Sequence, residues 1–221
     1  MRRRVILGGA AALPVSPSFV LAQTPAGPSP APSQRDLWFD PTQLPSYSGR
    51  VASWLMNPAG QVDRALLREG TQIIFPASEA DALQEAIPAG GHITVWGIRA
   101  RNAPVVMMLA WAKAESEPVS MVAQPAWFAN TRRGGQRHRV EGKIEAPLLN
   151  PQGEPMGVLL EDQRLIRLPR ASHQALGDAL RVGAMISAEG PGTRRGDAIS
   201  IDAEAIGANA AGMQPIPAGR P

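Results

Sequence analysis

Apolar side chains alternate with polar ones in short runs along most of this chain, and turn residues separate the runs. Residues 50–56 alternate and lead into Asn57-Pro58-Ala59-Gly60. Asn first, Pro second and Gly fourth suit a type I turn, because Pro presets φ and Gly frees the exit. Leu66-Leu67 and residues 72–75 read as strands around a turn at Glu69-Gly70, and Pro76 ends the third strand. The period then changes. Ser78-Glu79-Ala80-Asp81 resembles a capping box, and Leu83, Ala86 and Ile87 share one helical stripe. Gly90-Gly91 stops that helix, and residues 92–98 and 105–112 alternate again as two further strands.

The whole pattern occurs twice. Residues 48–112 align without a gap on residues 141–205 at a spacing of 93, and 18 of the 65 aligned positions are identical. Gly49 meets Gly142, Leu55 meets Leu148, and Asn57-Pro58 and Gly60 meet Asn150-Pro151 and Gly153. Further on, Leu66-Leu67 meets Leu159-Leu160, Ile73 meets Ile166, Pro76 meets Pro169, and Gly97 meets Gly190. Two copies are too few for a solenoid, and each is long enough to fold as a unit of its own. The period sets a domain map: residues 1–22 an export signal, 23–47 a Pro-rich linker, 48–112 a first domain, 113–138 a connector, 139–207 a second domain, and 208–221 a structureless tail.

The order β-β-β-α-β-β resembles the OB-fold, a five-stranded Greek-key barrel. The predicted fold class is therefore all-β with one short helix per unit, as two tandem five-stranded OB-like barrels. The run Asn-Pro-x-Gly, Leu-Leu-x-Asp/Glu and Ile-x-Phe/Leu-Pro is also similar to that of exported bacterial proteins with tandem OB-fold-like domains, a family that brings no activity with it. OB-folds often bind oligonucleotides or oligosaccharides, and fold alone does not assign function.

Each copy serves as a control on the other. Strict alternation places Val51, Ser53 and Leu55 inward with Ile144, Ala146 and Leu148, and likewise Val106, Met108 and Ala110 with Ile199, Ile201 and Ala203. On the opposite face the first copy carries Trp54, Ile74, Trp96, Met107, Leu109 and Trp111, where the second has Pro147, Arg167, Glu189, Ser200, Asp202 and Glu204. All ten aromatic residues lie at or before Phe128. An apolar aromatic face of this kind is either covered within the chain or is a binding surface. The six first-copy residues are the candidate binding site. Intramolecular cover would come from the second unit, the connector with Trp127 and Phe128, or the segment with Trp38, Phe39 and Tyr47.

Charge narrows the partners. The chain has 22 basic and 19 acidic side chains, but Arg2, Arg3 and Arg4 precede a short apolar run and a small-residue cleavage point, Val20-Leu21-Ala22. That segment reads as a signal peptide of the general secretory or the twin-arginine type, so the expected location is periplasmic or secreted, with no transmembrane anchor after cleavage. Without it, 19 charges of each sign remain, and the basic balance is not a nucleic-acid footprint. Base stacking also needs aromatics beside a basic groove. Residues 23–130 carry the rings with 7 basic and 9 acidic groups, while residues 131–221 carry 12 basic and 10 acidic groups and no ring. Nucleic acid is therefore disfavoured.

Chemistry is sparse. The chain has no cysteine, and His92, His138 and His173 lack metal-ligand spacing. No hydrolase elbow, zinc-protease motif or phosphate loop is present. Loop carboxylates such as Glu161, Asp162, Asp197 and Asp202 are scattered as on an ordinary surface. No cofactor, metal site or catalytic residue is predicted. The expected function is a non-enzymatic binding or scaffolding module acting through the first domain's aromatic face on an envelope protein. The alternative is a module for carbohydrate, nucleic acid or another anionic polymer, with Trp54, Trp96 and Trp111 stacking on sugar rings.

Overall fold

The computed structural model describes residues 40–122 and 135–216. The expected signal peptide, Trp38 and Phe39, and Trp127 and Phe128 of the connector lie outside the described residues. Both repeats fall within one compact unit, Gln34–Pro221.

The first repeat contains β1 (Ser46–Met56), β2 (Val62–Leu67), β3 (Gln72–Ile74), α1 (Ala80–Ala86), β4 (His92–Arg99) and β5 (Val105–Ala112). β2 and β4 both pair with the long β1, β5 pairs with β4, and β3 closes the ring by pairing in parallel with β5. The cyclic order β1-β2-β3-β5-β4 is that of an OB-type barrel. β6 (Ser120–Met121) adds to the free side of β5.

The second repeat reproduces the ring 93 residues later. β7 (Gln136–Leu149), β8 (Pro155–Leu160), β9 (Leu165–Arg167), β10 (Met185–Arg195) and β11 (Ala198–Asp202) close through a parallel β9–β11 pair. α2 (Arg170–Leu176) sits between β9 and β10. The tail expected from residue 208 is partly structured: β12 (Ala205–Gly207) and β13 (Gln214–Pro215) extend the second sheet beyond β10, and Ile216 donates to the Glu204 carbonyl at 2.7 Å.

The predicted turns form for the reasons the residues suggest. Asn57 Oδ1 accepts from the amides of Ala59 and Gln61 at 3.0 and 3.1 Å, and Gly60 takes φ +83°. Asn150 repeats this with Gln152 and Glu154 at 3.0 and 2.8 Å, and Gly153 has φ +84°. The capping box at Ser78 does not form as predicted. A 3-10 turn, Ala77–Glu79, precedes α1, and no side chain caps either segment.

Two separate cores fill the barrels. Val51, Leu67, Phe75, Leu83, Ile93 and Met108 are central to the first; Ile144, Leu160, Ile166, Ile186 and Ile201 are central to the second. A third cluster lies between them: Leu55 and Leu66 from the first barrel with Leu148, Leu159 and Leu165 from the second.

Candidate functional site

The six aromatic-face residues do not share one surface, and two β-bulges are the reason. On β1, Val51 is opposite Leu67 and Ser53 is opposite Leu66, so Ala52 is an extra residue. On β5, Met108 is opposite Gly97 and Ala110 is opposite Trp96, so Leu109 is extra. Each bulge shifts the alternation by one position, and everything beyond it changes face. Trp54 and Trp111, expected outside, pack on the first core; Trp54 meets the Phe75 ring edge-on with centroids 5.8 Å apart. Leu55 and Ala110, expected inside, lie in clusters outside that core, and Leu148 shares this fate in the second copy, where Glu145 is the extra residue.

The other members are also covered. Trp96 is 8% exposed, and packs with Ala110, Ala112, Val119 and Met121. The 3-10 turn Pro41–Gln43 lies against β4 and β5 nearby. Ile74 packs with Val105 and with Leu149 of the second barrel, while Met107, beside it in register, and Leu109 are buried. Trp111 is 6% exposed and its Nε1 has no hydrogen-bond partner among the described residues. In the second repeat the counterparts of Trp96 and Trp111 join an ion-pair cluster: Arg139 meets Glu189 at 2.8 Å, and Arg137 pairs with both Glu189 and Glu204.

The surface that joins the barrels is reciprocal. Leu55 and Leu66 meet Leu148 and Leu159, which are their own counterparts 93 residues on. A Cβ at Gly60 would lie 2.9 Å from Thr193 Cγ2, and one at Gly153 would lie 3.1 Å from Ala100 Cβ. Gly153 is the counterpart of Gly60, and Thr193 that of Ala100. Residue i of one barrel thus touches j of the other, and j touches i, as across a two-fold axis. Thr193 Oγ1 also donates to the Pro58 carbonyl at 2.8 Å.

The first barrel supplies a side-chain pair across this surface that the second does not return. Arg64 on β2 donates through Nη1 to Gln72 Oε1 and to the Leu149 carbonyl, both at 2.6 Å. Gln72 donates to the Pro147 carbonyl at 2.7 Å and accepts from the Leu149 amide at 3.1 Å. Arg64 and Gln72 thereby satisfy backbone groups at the end of β7 that would otherwise be buried unpaired. Burial pushes the Arg64 guanidinium down to about 10, which leaves it charged at neutral pH. Beside it, burial raises the Asp63 carboxyl above its ordinary value despite a 2.8 Å hydrogen bond from Asn57 Nδ2. The counterparts of Arg64 and Gln72 are Gly157 and Leu165, so the second barrel returns no such fork. Pairing by Arg64 and Gln72 was not read from the sequence; the available signal was that a charged and an amide side chain stand where the repeat carries Gly and Leu.

A concave surface lies open on the second barrel. A groove of about 290 Å³ lies in the second barrel between the 3-10 turn Gly177–Leu180, the start of β10 and β12, lined by Leu176, Ala179, Ala184, Ile186 and Ile206 among others. In the first barrel Leu83 and Ile87 are fully buried at the equivalent helix and Phe75 fills the space beneath. Leu168 replaces Phe75, and α2 begins three residues earlier than the repeat spacing would place it, so Leu176 is only partly buried. Val182 is 62% exposed, and Met185, on the groove wall, is 53% exposed.

Among the described residues no group of three His, Asp or Glu side chains comes together that could hold a metal ion. Glu161, Asp162 and Asp202 are engaged by Lys143, Arg164 and Arg167. His173 is held below the ordinary imidazole range by burial, and its Nε2 has no partner among the described residues. No helix among the described residues is long and apolar enough to cross a membrane. Comparison with protein-family models, with curated proteins and with solved structures returns no match for this chain.

Proposed function

We propose that this protein is an exported, non-enzymatic binding or scaffolding module of the cell envelope, and that the open groove of the second barrel is its contact surface. The observation that carries this reading is which surfaces are already used. An OB-fold takes oligonucleotides or oligosaccharides on its second and third strands and on the loops between strands one and two and strands four and five. Here those elements of each barrel pack against the other barrel, through Arg64, Leu66, Gln72 and Gly60 on one side and Leu159, Leu165 and Gly153 on the other. The Trp96 and Trp111 rings are buried as well, which weighs against the carbohydrate and nucleic-acid alternative. The groove walls are mainly apolar, with Asp178 and Arg181 also lining it, and Val182 and Met185 present exposed apolar side chains beside it, a combination that suits an apolar segment of a partner protein.

The test is site-specific photo-cross-linking in intact cells with the probe at position 185. The expected result is one defined envelope adduct, lost on Val182→Glu with no change in melting temperature. Labelling indistinguishable from that of a probe at exposed Arg195 would overturn the proposal.

A further inference from the structure

The surface between the barrels fits a first unit to a second unit, whichever chain supplies each, and this points to a partner beyond the envelope contact proposed above. We infer that two copies of this chain can exchange units, the first barrel of one docking on the second barrel of the other. The exchanged pair keeps every contact of the closed form: the leucines at 55, 66, 148 and 159, the Arg64–Gln72 fork on β7, and the Thr193–Pro58 hydrogen bond. Opening one chain therefore exposes two faces that each find the same complement on a second opened chain. Only the connection between the barrels changes. β6 ends at Met121 and β7 begins at Gln136, and the 14 residues between them reach up to roughly 50 Å when extended. A folded unit of this size is roughly 25 Å across, so the connection is long enough to pass from one chain to the other. Closed and exchanged forms are then separated by concentration, the closed form being favoured when dilute because its units are tethered at high effective concentration.

The chain has no cysteine, which makes the test direct. One full-length preparation carries Pro58→Cys and another carries Thr193→Cys; the two are mixed, unfolded in urea and refolded together over a range of concentrations. The exchanged pair brings the two cysteines into one interface, so oxidation should give a disulfide between chains and a doubling of mass that rises with concentration. Adding Leu148→Asp to both preparations should abolish the cross-link. Differentially mass-labelled chains without substitutions, refolded together and weighed under native conditions, guard against a folding defect in the cysteine variants. Monomers alone at every concentration, or mixed dimers that survive Leu148→Asp, would overturn the inference.

Discussion

Asp63 is a carboxylate half-buried beside Arg64, and desolvation is the largest influence on it. Its pKa is higher in the folded than in the unfolded chain, so the folded state binds the proton more tightly. Whatever stability protonated Asp63 lends is complete below the ordinary value of 3.8 and disappears as pH rises through the folded value. Asp63→Asn keeps an acceptor for Asn57 and removes the charge. Its stability advantage over wild type should be absent at the acid end, grow with rising pH and then level off, as read by urea unfolding at several pH values. A pH-independent difference would refute the assignment. Adjacent residues of a strand point to opposite faces, so Asp63 and Arg64 cannot both be solvent-facing by pattern, and the one mark that Arg64 carries in the sequence is the Gly157 that replaces it in the repeat. Arg64 is buried against the second barrel, 85 residues away at the Arg64–Leu149 hydrogen bond.

Strands β1 and β5 show where alternation is a reliable guide and where it stops. Up to each bulge the predicted inward residues, Val51, Val106 and Met108, are inward; beyond it Trp54 and Trp111 take the core side. A bulge adds one residue without changing composition, so it leaves no periodic trace. It did leave one signal, because Gly97 and Gly190 are identical across the repeat. A Cβ at Gly97 would lie 2.0 Å from the Met107 carbonyl oxygen, and one at Gly190 would lie 1.9 Å from that of Asp202. Both positions therefore require glycine for close backbone approach, independent of φ. Gly97→Ala and Gly190→Ala should each lower stability by about 1–3 kcal/mol. Gly135→Ala, with nothing within 4 Å, should change it by less than about 0.5 kcal/mol. Equal melting temperatures for all three variants would refute the close-approach argument. The strand order and the Asn-Pro-x-Gly turns were legible because they depend on local chemistry, whereas the open groove depends on where α2 begins and on Leu168 in place of Phe75.

Between the barrels, five leucines and the Arg64–Gln72 fork make the two cores mutually dependent. Leu148→Asp places a carboxylate in that layer without entering either core. It should divide one cooperative thermal transition into two, with the barrels melting separately in calorimetry, because an unpaired charge in an apolar interface costs several kcal/mol. A single unchanged transition would mean that the interface contributes little. The repeat was fully legible in the sequence, but its identities have two causes that sequence alone does not separate. Leu67, Ile73 and Ile93 recur because they fill cores, whereas Leu55 and Leu66 recur because they meet the other barrel.

The one-sided fork has a consequence for how such a molecule can change over time. A pair of identical subunits must present each substitution twice, once on either side of its axis, so a residue that helps in one setting and hinders in the other is unavailable to it. Joining the two halves in a single chain lifts that restriction. Arg64 and Gln72 can then stand opposite a partner whose own equivalents are Gly157 and Leu165, and the second barrel, whose β7 end is held in part by side chains of its twin, is free to seat its helix differently and open a groove that its twin keeps shut.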